Sequence, residues 1–269
     1  TGEGYRTDLD YSFMPSRQAI KKQVADAGYD LKHAWLTWFD HSIGAIMRKL
    51  DECGLARDTL VIVTSDHGTW RYGKTTMYEG GLKVPLLMRW PAVIRPGSTY
   101  PHPVLNTDYA ATILDLAGVA VPADYPIDGI SLAPVLHGIS TAPVREETFH
   151  EIGFARAIKT PKWKYIAVRY PEEIQRRINN GEKFAAFGDA PPNRLPYLVA
   201  NHHLGYHSSR HNPNYFLTDQ LYDLENDPQE KINLIDRHPK VVADLKKRLK
   251  KHLSTFPERP FGEFTPKTQ

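Results

Sequence analysis

The run Thr59-Leu60-Val61-Ile62-Val63-Thr64 constrains this chain most. It is continuous, rich in β-branched residues and free of polar alternation. Such a run suits a strand covered on both faces, as in a parallel sheet. Ahead of it, from Tyr29, the residues Trp35, Phe39, Ile43, Ile46 and Leu50 recur at spacings of four, four, three and four. That period lays one apolar stripe along a helix, and Gly54 stands where the helix must stop. Helix, short loop and buried strand make half of a βαβ unit, so an α/β layer architecture follows. Val84-Pro85-Leu86-Leu87-Met88-Arg89-Trp90 reads as a second buried strand with proline near its start. Thr107 or Asp108 can cap a helix carrying Ala110, Ile113, Leu114 and Ala117, closed by Gly118.

The pattern changes after Gly138-Ile139-Ser140-Thr141-Ala142-Pro143. Phe154–Ile158 and Trp163–Val168 read as short strands around a Thr160-Pro161 turn. Residues 171–216 hold loop signals and a histidine cluster. Pro239 then opens a last helix with Val242, Leu245 and Leu249 on one face and lysines on the other. The chain's 269 residues fit one to two domains, and the expected division is 1–140 and 141–269.

Composition narrows the functional classes. Lys plus Arg is 34 against 31 for Asp plus Glu, a net charge of +3, which is too small to argue for nucleic acid. No apolar run approaches the roughly 20 residues of a bilayer span. A single cysteine, Cys53, excludes an intrachain disulfide framework and a Cys-rich zinc module. The first residues, Thr1-Gly2-Glu3-Gly4, contain neither an initiator methionine nor a signal segment. Processing, a chosen start point or a longer parent sequence would each explain that.

The chemistry-bearing residues follow the first strand directly, as Ser65-Asp66-His67-Gly68. Ligands of open α/β sheets collect at the carboxyl ends of strands. There Asp66 offers a hard-cation ligand, and His67 a softer ligand or a proton carrier. The alternative is a strand-end turn in which Asp66 caps the next segment. Lys74 comes next, then Tyr78-Glu79-Gly80-Gly81-Leu82-Lys83-Val84-Pro85. A lysine beside a metal can hold an anionic ester and offset charge growing on a leaving oxygen; a solvated loop lysine is the plainer reading. The paired glycines permit close backbone approach or a positive φ before the strand.

Ile62-Val63-Thr64-Ser65-Asp66-His67-Gly68, Lys74 and Tyr78–Pro85 together resemble the second half of the sulfatase family, within the alkaline phosphatase superfamily. Trp38–Gly44 and Gly54–Thr59 upstream also fit, as do Asn106-Thr107-Asp108, Leu114–Gly118 and Asp128–Leu132 downstream. Leu221–Glu230 with Asn233-Leu234 is similar to the family's C-terminal subdomain, so the likeness runs from about Tyr29 to about Leu253. It implies a mostly parallel sheet flanked by helices, incomplete here, with a smaller antiparallel C-terminal subdomain. It also implies a calcium ion, or another divalent metal, held in part by Asp66 and His67, with Lys74 gripping the sulfate. Many family members have Asn at the His67 position, and calcium prefers oxygen ligands.

The family's nucleophile is a formylglycine made from a Cys/Ser-x-Pro/Ala-x-Arg motif, and neither candidate here serves. Phe13-Met14-Pro15-Ser16-Arg17 begins with Phe, and Cys53-Gly54-Leu55-Ala56-Arg57 has Leu where Pro or Ala belongs. The expectation is therefore that the formylglycine, and two further metal aspartates, lie in an N-terminal sulfatase part absent from this sequence. The resemblance implies that in the complete enzyme hydrated formylglycine would attack sulfur, the alcohol would leave, and the sulfoenzyme would decay to aldehyde and sulfate.

This chain alone is expected to be inactive and to associate with the missing part or with itself, because an incomplete sheet exposes an edge and apolar surface. Trp70 and Arg71 are expected to line a pocket for an anionic sugar; His207, Arg210 and His211 are candidates for substrate contact or, more weakly, for a metal, a polar surface loop being the plainer reading. The implied partner is a sulfated small molecule or glycan, in a periplasmic, secreted or lysosomal setting. The alternatives are a phosphodiester or phosphonate ester hydrolase of the same superfamily, and a non-catalytic sulfated-glycan binder.

Overall fold

A computed structural model describes residues 12–68, 76–122, 124–181, 212–255 and 261–265. The chain divides into two compact units, one formed by Thr1–Ile62 and Met88–Ser98, the other by Val63–Leu87 and Thr99–Gln269.

The first unit is helical. Helix α1 (Arg17–Asp26) starts where the Ser16 hydroxyl accepts from the Ala19 N–H at 3.2 Å. It buries Ile20 and Val24, one turn apart, and packs on helix α2 (Ala34–Glu52). Asp30 opens a short 3-10 turn, Leu31–His33, so α2 begins later than Tyr29. It ends as expected, with Gly54 in the left-handed region at φ 68°. The stripe predicted along α2 is present but not covered. No residue of α2 is buried, and Trp35, Phe39 and Ile46 remain 66%, 49% and 58% exposed.

Strands β1 (Val61–Thr64) and β2 (Leu86–Arg89) pair as a two-stranded sheet. Neither is buried on both faces as the apolar runs predicted: β1 is half-buried throughout and β2 alternates. The mostly parallel sheet is not found among the described residues, where these two strands pair only with each other. Between them lies the short helix α3 (Glu79–Leu82).

The second unit is built on an antiparallel sheet in the order β3 (Thr148–Ile152), β4 (Ala155–Lys159), β5 (Trp163–Val168), β6 (Asp219–Asp223). Ile158 pairs with Tyr165, which pairs with Leu221; Ala157 pairs with Ile166, which pairs with Gln220. Because side chains alternate along a strand, the first row faces one way and the second the other. Ile158, Tyr165, Ala167 and Leu221 pack against Leu245, Leu249 and Leu253 of the last helix (Pro239–Leu253) and against Phe261 and Phe264. Ala157, Ile166, Val168 and Tyr222 pack against Met77, Tyr78 and Tyr215. This second face carries the segment leading into α3.

Helix α4 (Thr107–Leu116) forms where predicted, but its buried residues are Asp108 and Thr112, and Ile113 is exposed. Asp108 accepts from the Leu105 and Ile130 N–H groups and from both terminal nitrogens of Arg145, so its inward face is a polar staple. Helix α5 (Ala133–Leu136) lies against α4, and helix α6 (Glu172–Asn179) follows β5. The last helix completes the series as α7. Among the described residues, no helix is long and apolar enough to cross a membrane.

Candidate active site

The segment Thr64–Gly68 leaves β1 through a dense set of local bonds. The Thr64 hydroxyl donates to the Pro85 carbonyl at 3.0 Å and lies 3.2 Å from the Tyr109 hydroxyl. The Ser65 hydroxyl donates to the His67 carbonyl at 2.8 Å, and the His67 N–H donates to Asp66 Oδ1 at 3.0 Å. His67 Nδ1 sits 2.6 Å from the Gly68 carbonyl, which can only accept, so Nδ1 carries a proton. In the neutral ring the lone pair is then on Nε2, which stands 3.4 Å from Asp66 Oδ2.

Two acceptors this close repel unless a proton or a metal lies between them. Two ligands at ordinary metal distances and a right angle are about 3.2 Å apart, so the pair has a chelating bite. Both side chains are open to approach: Asp66 is 83% and His67 37% exposed. The donor count falls short, because calcium takes roughly six to eight oxygens and this pair offers two donors. Among the described residues no group of three or more His, Cys, Asp or Glu could hold a metal ion.

The turn rests on α3. Gly68 N–H donates to the Gly81 carbonyl at 2.8 Å, and a Cβ on Gly68 would lie 2.0 Å from the Gly80 carbonyl oxygen. Of the two readings of the paired glycines, close approach fits and positive φ does not, and the crowded Cβ position is that of Gly68.

Lys74, Trp70, Arg71, His207, Arg210 and His211 lie outside the described residues. The two rejected nucleophile motifs occupy structural positions instead. Ser16 caps α1, and Cys53 is an exposed free thiol at the end of α2.

Beneath α3 is a charged cluster that residue spacing did not reveal. Lys164 is fully buried, with its Nζ 2.7 Å from Glu79 Oε1, 2.7 Å from Glu230 Oε1 and 3.0 Å from the Met77 carbonyl. Lys159 Nζ reaches Glu79 Oε2 at 2.8 Å. Burial pushes the Glu79 carboxyl up, and the two ammonium groups more than reverse this, holding it at about 2. Burial raises the Glu230 carboxyl, with Lys164 opposing. Burial and the two lysines pull neighbouring His150 down to about 4. The one available sequence signal was Lys164 itself, a charge inside the otherwise apolar run Trp163–Val168.

Residues 66–170 match the family described as N-sulphoglucosamine sulphohydrolase, C-terminal, a match that begins at Asp66 itself. The family model, the curated relatives and the solved structures thus agree in likening this chain to sulfatases. The chain is 30% identical to the steryl-sulfatase of Rattus norvegicus over 285 aligned residues, covering 94% of this chain and 46% of that protein. It is 38% identical to the N-acetylglucosamine-6-O-sulfatase of Bacteroides thetaiotaomicron over 109 residues, covering 39% of this chain and 19% of the relative. A solved structure described under the metabolism of multiple glycosaminoglycans by Bacteroides thetaiotaomicron superposes with a TM-score of 0.57. It is 26% identical and covers 83% of this chain and 45% of the other. The chain spans less than half the length of these relatives.

Proposed function

We propose that this chain is the C-terminal part of a sulfuric ester hydrolase acting on a sulfated sugar or another sulfate ester. Residues 1–140 would contribute later strands of the catalytic core, and 141–269 the smaller subdomain. The observation that carries this reading is the Asp66–His67 bite, seated on Gly80-Gly81 at the point where the family match begins. The two side chains would hold a divalent cation together with carboxylates supplied by an N-terminal sulfatase segment. That cation would withdraw charge from the sulfate oxygens and lower the barrier to attack on sulfur. The formylglycine nucleophile would come from the same segment.

This chain's own part is electrostatic and positional. Asp66 supplies the negative charge of the bite, and the Nδ1–H bond to Gly68 fixes the His67 ring with Nε2 outward. Lys74 would pair with the ester's anionic oxygens and offset charge on the departing alcohol oxygen. Trp70, Arg71, His207, Arg210 and His211 would line the sugar pocket. The uncovered stripe on α2 supports association with the completing segment, because a contiguous apolar helix face is a common docking surface.

The test is complementation: the chain is combined with a formylglycine-bearing N-terminal sulfatase segment, and aryl and sugar sulfate hydrolysis is measured with and without calcium. Sulfate ester turnover that needs the cation and falls at least a hundredfold with Asp66→Ala is expected. Preferential phosphodiester or phosphonate hydrolysis would reassign the chemistry. Sulfated-glycan binding with no turnover of either ester would reassign the chain to a binding role.

A further inference from the structure

The alternation of β4 and β5 puts Lys159 and Lys164 on the face that carries Met77 and Tyr78, and the register sets them directly opposite each other. Like charges in that position repel. Glu79 resolves the conflict by placing one carboxylate oxygen on each ammonium, at 2.8 and 2.7 Å. A second carboxylate, Glu230, is bound from the other side. Its Oε1 pairs with Lys164 at 2.7 Å, and its Oε2 accepts the Glu79 backbone N–H at 2.6 Å. Glu230 has a left-handed backbone, φ 56°, and is the single non-glycine residue with positive φ among those described. A buried acid held in an unfavourable conformation points to a position fixed by what its side chain grips.

All of these contacts except the Lys164–Glu230 pair end on α3 or on its approach. Lys159 and Lys164 of the sheet grip the Glu79 side chain, Lys164 also holds the Met77 carbonyl, and Glu230, tied to Lys164, holds the Glu79 N–H. The adjoining Gly80 and Gly81 form the surface on which Gly68 sits with no room for a Cβ. A shift of α3 by a fraction of an ångström passes directly to Gly68. From there it reaches His67, whose ring nitrogen is bonded to the Gly68 carbonyl.

We propose that Lys164, acting with Glu79 and Glu230, is a positioning residue for the Asp66–His67 pair: it locks the Gly-Gly seat to the antiparallel sheet. It touches neither of the two side chains it positions. Its importance for catalysis rests on the sulfatase reading; its importance for the geometry of the turn does not.

The deciding experiment is amide hydrogen exchange on the 269-residue chain, comparing wild type with Lys164→Met and Glu230→Gln. The Gly68 amide, which bonds to Gly81, reports the seat, and the amides of β4 and β5 report the fold. Glu230→Gln keeps the side-chain size and removes one charge, so it serves if Lys164→Met fails to fold. The expected result is exchange at Gly68 at least tenfold faster in the folded variants, with β4 and β5 within twofold of wild type. Unchanged Gly68 exchange in a folded variant overturns the proposal. So does a Gly68 change matched by the sheet amides in Glu230→Gln, which would make the cluster merely stabilising. Wild-type complementation without sulfate ester turnover would count against the functional reading alone and leave the exchange result standing.

Discussion

Gly68 has no space for even one added carbon, since its missing Cβ would meet the Gly80 carbonyl at 2.0 Å. Gly68→Ala must move either the turn or α3, and overpacking of this kind costs about 1–3 kcal/mol. Urea denaturation should show that loss. His150 gives a second prediction, with a defined sign. Its ring titrates near 4 in the fold and near its ordinary 6.5 when unfolded, so between these values the unfolded chain binds the extra proton. Stability is therefore full above about pH 6.5 and falls on acidification toward pH 4, by about 3 kcal/mol. His150→Gln should flatten that limb. Glu79 acts in a lower window, its contribution being present above about 4.5 and lost as pH falls toward 2. Asp66, His67 and Gly68 were singled out in sequence because a strand-end Asp-His-Gly suggests its own chemistry. Lys164 and Glu230 were not: their role depends on meeting Glu79 across 85 and 151 residues of chain, and no local pattern encodes such a meeting.

At the scale of elements, strong periodicity and punctuation were readable and polar interiors were not. Helix α2, strands β4 and β5, and helix α7 lie where apolar spacing, Gly54, the Thr160-Pro161 turn and Pro239 put them. Strand β6, Asp219–Asp223, lacks an apolar signature because Gln220 is buried through bonds from Tyr78 and Tyr222. Helix α1 was hidden for a related reason: Ile20 and Val24 are its buried residues, set in a polar sequence that Ser16 caps. The helices also differ in what they contribute. Leu249 of α7 is fully buried against the sheet, and Leu249→Ala should cost about 2–5 kcal/mol in a denaturant titration. Phe39→Gln and Ile46→Gln on the exposed stripe of α2 should each change stability by less than about 0.5 kcal/mol.

Across the whole molecule, apolar surface is distributed unevenly. The second unit encloses two clusters on either side of one sheet, whereas the first leaves Trp35, Phe39 and Ile46 in solvent. Sedimentation velocity should show the chain associating as concentration rises, and Phe39→Gln with Ile46→Gln should shift it toward monomer. A monomer at every concentration, in both forms, would separate that stripe from any role in assembly. Sequence pattern located the stripe correctly but could not say whether anything covers it, because periodicity describes a face and not its neighbour. The same limit explains β1 and β2, whose apolar runs suggested a wide sheet that two strands alone do not make.

The facing lysines of β4 and β5 carry a consequence for how this sequence can vary. With Lys159 and Lys164 opposed and one carboxylate spanning both, neutralising Glu79 alone takes the carboxylate from Lys159 and leaves Lys164 with Glu230, while removing Lys164 alone takes the cation from Glu230 and leaves Glu79 with Lys159. Tolerated substitutions at these positions should arrive in concert, so that Glu79, Lys159, Lys164 and Glu230 covary as one inherited unit rather than drifting independently.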